Sequence, residues 1–285
     1  MAKKRIAIVT PTRDGLLDMN YALSLFHTVK VLDEYEVEPT LLGGVSDIIT
    51  GRNKLWNRWY YDTDVEYILW VDSDVSFSPL DLKNLLTYDV EVVGGNYPKK
   101  GIEIPRLLKT AYTMQNLYGE VDAQKCLWAS LSYVTGGKCD IYKDTHPLAG
   151  LGLVDHIGMG FCLISRSGAK KLMDWAEENM NPVRWDWYDK EVSGYGVFNP
   201  IEEDGQGFGE DYSFCIRLKK AGVPIHFHPK MKLRHSGSAQ YDGNFHQVIQ
   251  LAQDCKDAGI DFDNPDYTFE RMSESEDDLK PEFED

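Results

Sequence analysis

The residues best suited to chemistry in this 285-residue sequence are Asp72 and Asp74, which directly follow an apolar run at residues 67–71. Side chains two apart in extended backbone point to the same side, so both carboxylates can face one divalent cation. Mg²⁺ and Mn²⁺ prefer carboxylate oxygens and keep phosphate or water as further ligands. Two more Asp-x-Asp triplets, at 62–64 and 261–263, lie in a predicted loop and in a polar C-terminal region, where they indicate ordinary turns. We therefore predict a metal site at Asp72 and Asp74.

A second acidic pair, Glu210 and Asp211, follows Gly207-Phe208-Gly209 and opens a predicted helix. A helix N-terminus stabilises negative charge, which is the simpler explanation of the pair. The functional interpretation makes Asp211 a general base that takes a proton from an acceptor hydroxyl. Further along, a neutral imidazole at His235 could complete the metal site begun by Asp74, although a lone histidine is more often structural.

Arg52 and Asn53 lie one predicted helix before the Asp-x-Asp strand. Arg52 could form charge-assisted hydrogen bonds to a diphosphate, and Asn53 could bind a base or a sugar. Ordinary polarity on a helix surface is the alternative. Aromatic residues are concentrated at 181–209, among them Trp185 and Trp187. Filling the core is the favoured explanation for these rings, and stacking against an acceptor is the other.

Alternating strand and helix patterns position these residues in the first hundred positions. The spacing predicts strands and helices in turn at 5–10, 16–32, 37–42, 48–61, 66–71, 79–86 and 90–93. Such alternation is typical of an α/β fold with right-handed crossovers, in which ligands bind at the carboxyl ends of the strands.

The second half of the chain has fewer clear patterns. It predicts helices at 167–180 and 210–221 and a short strand at 224–229. We expect the segments 100–155 and 181–209 to be rich in loops.

Composition restricts the class of protein. There are 30 Lys and Arg against 46 Asp and Glu, a net charge of −16, which argues against a broad basic surface for nucleic acid. Five cysteines without a Cys-x-x-Cys pair suggest reduced thiols in a cytosol. No apolar run approaches the roughly 18 residues of a membrane helix, and none fits a secretory signal. We therefore expect a cytoplasmic protein without integral membrane contact.

Six motifs, taken in order, resemble those of glycosyltransferases with the GT-A fold. The resemblance is greatest to family-2-like enzymes, which include viral and phage members and relatives of fungal mannan polymerase subunits. The motifs, within roughly residues 4–240, are Thr10-Pro11-Thr12-Arg13, Gly51-Arg52-Asn53, Asp72-Ser73-Asp74, Gly158-Met159-Gly160-Phe161, Gly209-Glu210-Asp211 with Arg217, and His235.

The resemblance implies a Rossmann-like fold with a mixed, mostly parallel sheet flanked by helices, forming a single domain over residues 1–272. Its donor-binding half would cover about 1–100 and its acceptor-binding and catalytic half about 101–240. A helical extension would follow at 241–272. The last segment, 273–285, has a net charge of −6 and is expected to be a disordered tail.

The resemblance also implies a metal-dependent transfer of sugar from a nucleotide-sugar donor, with UDP favoured, to an acceptor hydroxyl. Asp211 would be the base, with Glu210 beside it. Mn²⁺ or Mg²⁺ would neutralise the diphosphate leaving group. The residues assigned to donor binding are Thr10, Pro11, Thr12, Arg13, Asp47, Arg52, Asn53, Asp72 and Ser73. Those assigned to the acceptor are His156, Gly158, Gly160, Trp185 and Trp187, and those assigned to the metal are Asp72, Asp74 and His235.

Several alternatives stay open at this point. Retaining rather than inverting chemistry occurs on the same fold. Asp72-Ser73-Asp74-Val75 after an apolar strand also resembles the nucleophile motif of haloacid-dehalogenase-like phosphohydrolases. A third possibility is a non-catalytic module that binds nucleotide sugars. The favoured acceptor is a glycan or a lipid-linked sugar, with a modified base in phage DNA second. The absence of an obvious basic amphipathic helix weakens the case for a membrane-bound acceptor.

Overall fold

A computed structural model describes residues 3–143, 145–187, 190–260 and 262, together with the backbone of 268–271. The predictions for Asp261, Asp263 and the tail at 273–285 lie outside the described residues. The helices, in chain order, are α1 (Met19–Val31), α2 (Ile48–Asp62), α3 (Pro79–Leu86), α4 (Ile104–Tyr118), α5 (Ala123–Ser130), α6 (Arg166–Asn179), α7 (Glu210–Lys220) and α8 (Phe245–Asp257).

The strands are shorter than the helices, and most of them join one large sheet. In chain order they are β1 (Lys4–Pro11), β2 (Tyr35–Leu42), β3 (Tyr67–Val71), β4 (Val75–Ser76), β5 (Val92–Gly95), β6 (Gly136–Ile141), β7 (Gly152–His156), β8 (Phe161–Ser165), β9 (Pro182–Trp187), β10 (Lys190–Tyr195), β11 (Ile201–Glu203), β12 (Gln206–Phe208), β13 (His226–His228), β14 (Arg234–Ser236), β15 (Gln240–Asp242) and β16 (Thr268–Arg271).

Nine of these described strands form a mixed sheet in the order β16-β6-β7-β13-β5-β8-β3-β1-β2. The pairs β2–β1, β1–β3, β5–β13 and β6–β16 are parallel, whereas β8 and β7 run antiparallel to both of their neighbours. The predicted α/β fold with flanking helices is confirmed. The expectation of a mixed sheet is confirmed as well, but parallel pairs do not predominate, because β8 and β7 are each inserted antiparallel between their neighbours.

The apolar run of β3 is buried on both faces of this sheet. Ile68 and Trp70 pack into one hydrophobic cluster, and the alternating residues Leu69 and Val71 pack into the other. Since successive side chains of a strand point to opposite faces, a continuous apolar run is what a sheet covered on both sides requires. β3 therefore lies deep in the molecule, and its carboxyl end delivers Asp72 to a fixed position.

Side-chain hydrogen bonds cap the starts of α2 and α3. Asp47 caps α2 by accepting from the backbone N–H of Thr50 at 2.7 Å. Ser78 and Asp81 form a reciprocal capping box on α3, with Pro79 in the first turn. These caps fix where α2 and α3 begin relative to the strands before them.

Two segments expected to be loops contain regular structure. The segment 100–155 holds α4, α5, β6 and β7, and the segment 181–209 holds the hairpins β9–β10 and β11–β12. The predicted helical extension at 241–272 contains α8, but it also contains β15, and β16 adds to the edge of the sheet beside β6. No helix in the described part of the chain is long and apolar enough to cross a membrane.

Candidate active site

The site residues meet where the carboxyl ends of central strands reach the first turn of α7. Asp72 follows β3, and its backbone N–H donates to the carbonyl of Gly160, just before β8. The backbone N–H of Ser236 in β14 donates to the carbonyl of Asp74 at 2.8 Å. Backbone pairing thus holds the Asp-x-Asp loop from both sides.

Arg52 is the centre of the cluster. Its side chain is 3% exposed, with Nη2 3.0 Å from Asp72 Oδ1 and Nη1 2.8 Å from Asp211 Oδ1. The guanidinium lies 5.8 Å from the ring of Trp70 and 5.9 Å from that of Phe198. The two nearby carboxylates raise the pKa of Arg52 despite its burial, so it stays charged. One cation therefore brings together the two acidic motifs of the sequence.

Asp211 lies on the first turn of α7 with its side chain 24% exposed. Its Oδ2 accepts from the backbone N–H of Met159 at 3.2 Å. Burial raises its pKa from 3.8 to about 6, with Asp72 and Glu210 adding to the rise and Arg52 opposing it. A carboxylate with this pKa is well matched to proton transfer near neutral pH. Glu210, half-buried on the same turn, contributes negative charge beside it.

Asp74 contacts two cationic or potentially cationic side chains. His235 Nε2 lies 3.3 Å from its Oδ1, and Lys100 Nζ contacts its Oδ2. Burial acts to raise the pKa of Asp74, but the bonds from His235 and Lys100 outweigh it and hold the pKa below its usual value. By contrast, burial raises the pKa of Asp72 more than Arg52 lowers it. The two aspartates of the motif thus differ in proton affinity.

Asp74 and His235 together offer a carboxylate and an imidazole as ligands for a divalent cation, while the Lys100 ammonium already contacts the other Asp74 oxygen. His235 Nδ1 lies 2.9 Å from the carbonyl oxygen of Pro98, which requires the proton on Nδ1. In a neutral ring this leaves the Nε2 lone pair facing a carboxylate oxygen, an arrangement that needs either a second proton or a cation between them. A ligating histidine commonly donates its other nitrogen to a backbone carbonyl in this way.

Asp72, Asp74 and His235 do not form a closed metal cage. Within the described residues, no group of three or more His, Cys, Asp or Glu side chains is arranged to hold a metal ion. Asp72 instead bonds Arg52. The predicted three-residue set is therefore reduced to the adjacent pair Asp74 and His235, and the remaining ligands would have to come from elsewhere.

The structure adds Tyr97 and Lys100 to the residues anticipated from sequence. The Tyr97 hydroxyl is buried and accepts from the backbone N–H of Gly160 at 2.9 Å. A Cβ at Gly160 would lie 2.2 Å from this oxygen and 2.9 Å from Asp72 Oδ2, so only glycine fits. Both new residues follow the glycine pair that ends β5, where the strand-end rule could have found them.

The predicted donor loop borders a pocket of about 300 Å³ beside the end of β1. Pro11, Thr12, Arg13 and Asp47 line it, together with residues 45, 46 and 48. Arg13 is exposed at its edge, whereas Thr12 is buried. This groups four of the predicted donor-binding residues around one space.

Three other residues assigned to the donor hold the protein together. Thr10 is buried and its hydroxyl bonds that of Tyr21 at 2.6 Å. Both amide atoms of Asn53 are used inside the protein, donating to Asn199 and accepting from the backbone of residue 198. The carbonyl of Ser73 accepts from the backbone N–H of residue 18 at the start of α1. These contacts position the loops around the site.

The residues assigned to the acceptor divide into two groups. Gly158 precedes Met159, which bonds Asp211, and the ring of His156 stacks on Tyr212 with centroids 4.4 Å apart. Burial lowers the pKa of His156, which favours a neutral ring. His156 and Gly158 therefore lie beside α7 and the proposed base.

The hairpin tryptophans form the second group. Trp187 is 8% exposed, belongs to the main hydrophobic cluster and packs under the Arg58 guanidinium at 4.7 Å. Arg58 lies six residues, about 9 Å, beyond Arg52 along α2. Trp187 is thus buried in the core, as the core-filling alternative predicted. Trp185 is half-buried on the same strand, and Tyr188 lies outside the described residues.

Comparison with known proteins adds little to this geometry. No family model matches the chain, and no curated protein sequence matches it. Among solved structures, it is similar to the crystal structure of A197 from STIV, with 15% identity and a TM-score of 0.46, over 84% of this chain and 94% of that one. So distant a likeness carries no argument about activity, and the functional conclusion depends on the site.

Proposed function

We propose that the chain is a glycosyltransferase of the GT-A type that moves a sugar from a nucleotide-sugar donor to an acceptor hydroxyl. The observation that carries the proposal is the clamp formed by buried Arg52, which joins Asp72 of one acidic motif to Asp211 of the other. If Asp72 only belonged to a solvated turn, or Asp211 only placed negative charge at a helix start, neither residue would need a buried cation that joins them.

The donor would occupy the pocket at the end of β1. Its lining by Thr12, Arg13 and Asp47 offers hydrogen bonds and one positive charge to a nucleoside and its diphosphate. Asp74 and His235 would hold Mn²⁺ or Mg²⁺, which supplies charge neutralisation for the diphosphate. UDP is the favoured nucleotide. On this proposal, residues of about 1–100 bind the donor, and those of about 101–240 bind the acceptor.

Asp211 is the proposed general base. It accepts the proton of the acceptor hydroxyl while that oxygen forms a bond to the anomeric carbon. The bond from the anomeric carbon to the diphosphate oxygen breaks, and the nucleoside diphosphate leaves with the electron pair. Attack from the side opposite the leaving group inverts the anomeric centre. Arg52 keeps Asp211 fixed, and Met159 N–H occupies its second oxygen until substrate binds.

The acceptor would approach beside α7, where His156 is half-buried and Gly158 and Gly160 are buried beneath it. A glycan is the favoured acceptor class, and a modified DNA base is the second. The net charge of −16 weighs against a nucleic-acid acceptor.

The test is nucleotide release from a panel of UDP-, GDP-, CMP- and dTDP-sugars, each with Mn²⁺ or with EDTA. We expect metal-dependent release from one donor. Asp74→Asn should abolish the metal-dependent release of nucleotide. Asp174→Asn should behave as wild type because Asp174 is an exposed partner of Lys170 on α6.

Silence with every donor, together with no metal-dependent nucleotide binding by calorimetry, would overturn the proposal. The phosphohydrolase alternative would then be tested by phosphatase assays of wild type and Asp72→Asn, since Asp72 is its required nucleophile.

A further inference from the structure

Helix α4 turns an apolar face to the outside. Ile104, Leu108 and Tyr112 are 57%, 63% and 71% exposed, whereas Thr110 and Thr113 are buried beneath the helix. The exposed residues are four apart, so they form one continuous stripe. The face of α4 that packs on the core is apolar as well, through Ala111, Met114 and Leu117, so the exposed stripe is an additional apolar surface that requires an explanation.

The stripe lies in a basic segment of an acidic protein. Residues 99–118 contain Lys99, Lys100, Arg106 and Lys109 against the single acid Glu103, a net of +3 in a chain of net −16. By helical periodicity, Lys109 flanks the apolar stripe on the exposed side. No acid occurs in residues 104–118, so the exposed face of the helix carries apolar, neutral polar and positive groups but no negative charge.

A second exposed stripe on α1 shows that apolarity alone does not select the partner. It comprises Leu16, Met19, Leu23 and Phe26, each at least 48% exposed. Residues 13–34, however, carry four acids against two basic residues, a net of −2. The α1 stripe therefore lacks the charge that distinguishes α4 and provides a matched control.

We propose that the α4 face binds an anionic lipid surface. The apolar stripe would enter the boundary between headgroups and acyl chains, while the lysines would contact lipid phosphates, as is typical of interfacial amphipathic helices. Lys100 contacts Asp74 in the candidate site, and Ile104 is only four residues further on, at most about 14 Å. Docking by α4 thus places the mouth of the site next to the lipid. The sequence alone gave no sign of such a helix, because the segment was expected to be loop.

Vesicle sedimentation of the full chain tests this proposal without any donor or activity. Wild type should sediment with vesicles of phosphatidylcholine and phosphatidylglycerol, much less with phosphatidylcholine alone, and less in high salt. Leu108→Ser with Tyr112→Ser should weaken binding at least about tenfold. Lys99→Gln and Lys109→Gln should each weaken it roughly fivefold.

The control is Leu23→Ser with Phe26→Ser on α1, which should bind vesicles as wild type does. All substituted side chains are exposed, and circular dichroism with thermal unfolding verifies that each variant folds. The proposal is overturned if wild type ignores anionic vesicles, or if the α1 and α4 variants lose binding equally. It is also overturned if light scattering shows a dimer that the α4 substitutions dissociate, since a second copy would then cover this face.

Discussion

Replacing Asp211 with asparagine should stabilise the fold while removing its proposed chemistry. The pKa of Asp211 is raised from 3.8 to about 6, with burial as the main cause. The folded protein therefore binds more protons at this residue than the unfolded chain between those pH values. Stability attributable to Asp211 is fully present below pH 3.8 and is lost as the pH rises through about 6.

The expected size follows from the shift of about two pH units. At 1.36 kcal/mol per unit, the ionised carboxylate costs about 3 kcal/mol at most, and its partial exposure reduces this to about 1–3 kcal/mol. Asparagine has nearly the same shape and no charge. Asp211→Asn should therefore raise the melting temperature at pH 8 by roughly 2–5 °C. The gain should shrink towards zero near pH 4.

Asp155→Asn is the matched control with the opposite sign. Burial acts to raise the pKa of Asp155, but its bonds to Lys219 and to the backbone N–H of Lys138 outweigh this and hold the pKa below 3.8. The ionised carboxylate of Asp155 therefore stabilises the folded protein above pH 3.8, and this stabilisation is lost as the pH falls through its lowered pKa. This substitution should lower the melting temperature at pH 8. Calorimetric unfolding of both variants from pH 4 to 8 measures the effect, and a lower melting temperature for Asp211→Asn at pH 8 would refute the reasoning.

Three further predictions concern the same cluster. Arg52→Gln should destabilise the protein by about 3 kcal/mol in urea unfolding, because it leaves two carboxylates without their buried cation; a loss below about 1 kcal/mol would show that the clamp is not structural. The rate of sugar transfer should rise about tenfold per pH unit up to about pH 6 and then level off as Asp211 ionises; a flat kcat/KM profile from pH 5 to 8 would exclude Asp211 as the base. Gly160→Ala should cost about 2–4 kcal/mol because its Cβ would collide with Tyr97 and Asp72, whereas Gly207→Ala, with open space around its Cβ, should be nearly neutral in thermal unfolding.

Local signals in the sequence predicted the first hundred residues of the fold well. The apolar run of β3 has a short-range physical cause, and the strands and helices predicted between residues 5 and 93 form close to their predicted positions. The direction of β8 has no such signal. A short buried strand has the same composition whether it runs parallel or antiparallel, so the sequence does not show which strands of the mixed sheet are antiparallel.

In the site, too, single residues could be recognised from the sequence, but their contacts with residues distant in the chain could not. Asp72 and Asp211 are recognisable from their neighbours in sequence, but their connection through Arg52 depends on packing of α2 against α7 and the sheet. The burial of Trp187 could not be predicted, because composition does not reveal which side of a hairpin faces the core. Lys100 was missed because the segment 100–155 was expected to be rich in loops, although α4 begins at Ile104.

The central claim is that Asp211 acts as the base in a transferase whose donor binds independently of it. The most direct measurement compares wild type with Asp211→Asn on the donor identified by the panel, using calorimetry for donor binding and nucleotide release with acceptor for turnover. We expect the donor Kd to stay within about threefold, while turnover falls by about 10²–10⁴. Turnover near the wild-type rate in a variant that still binds donor would contradict the account.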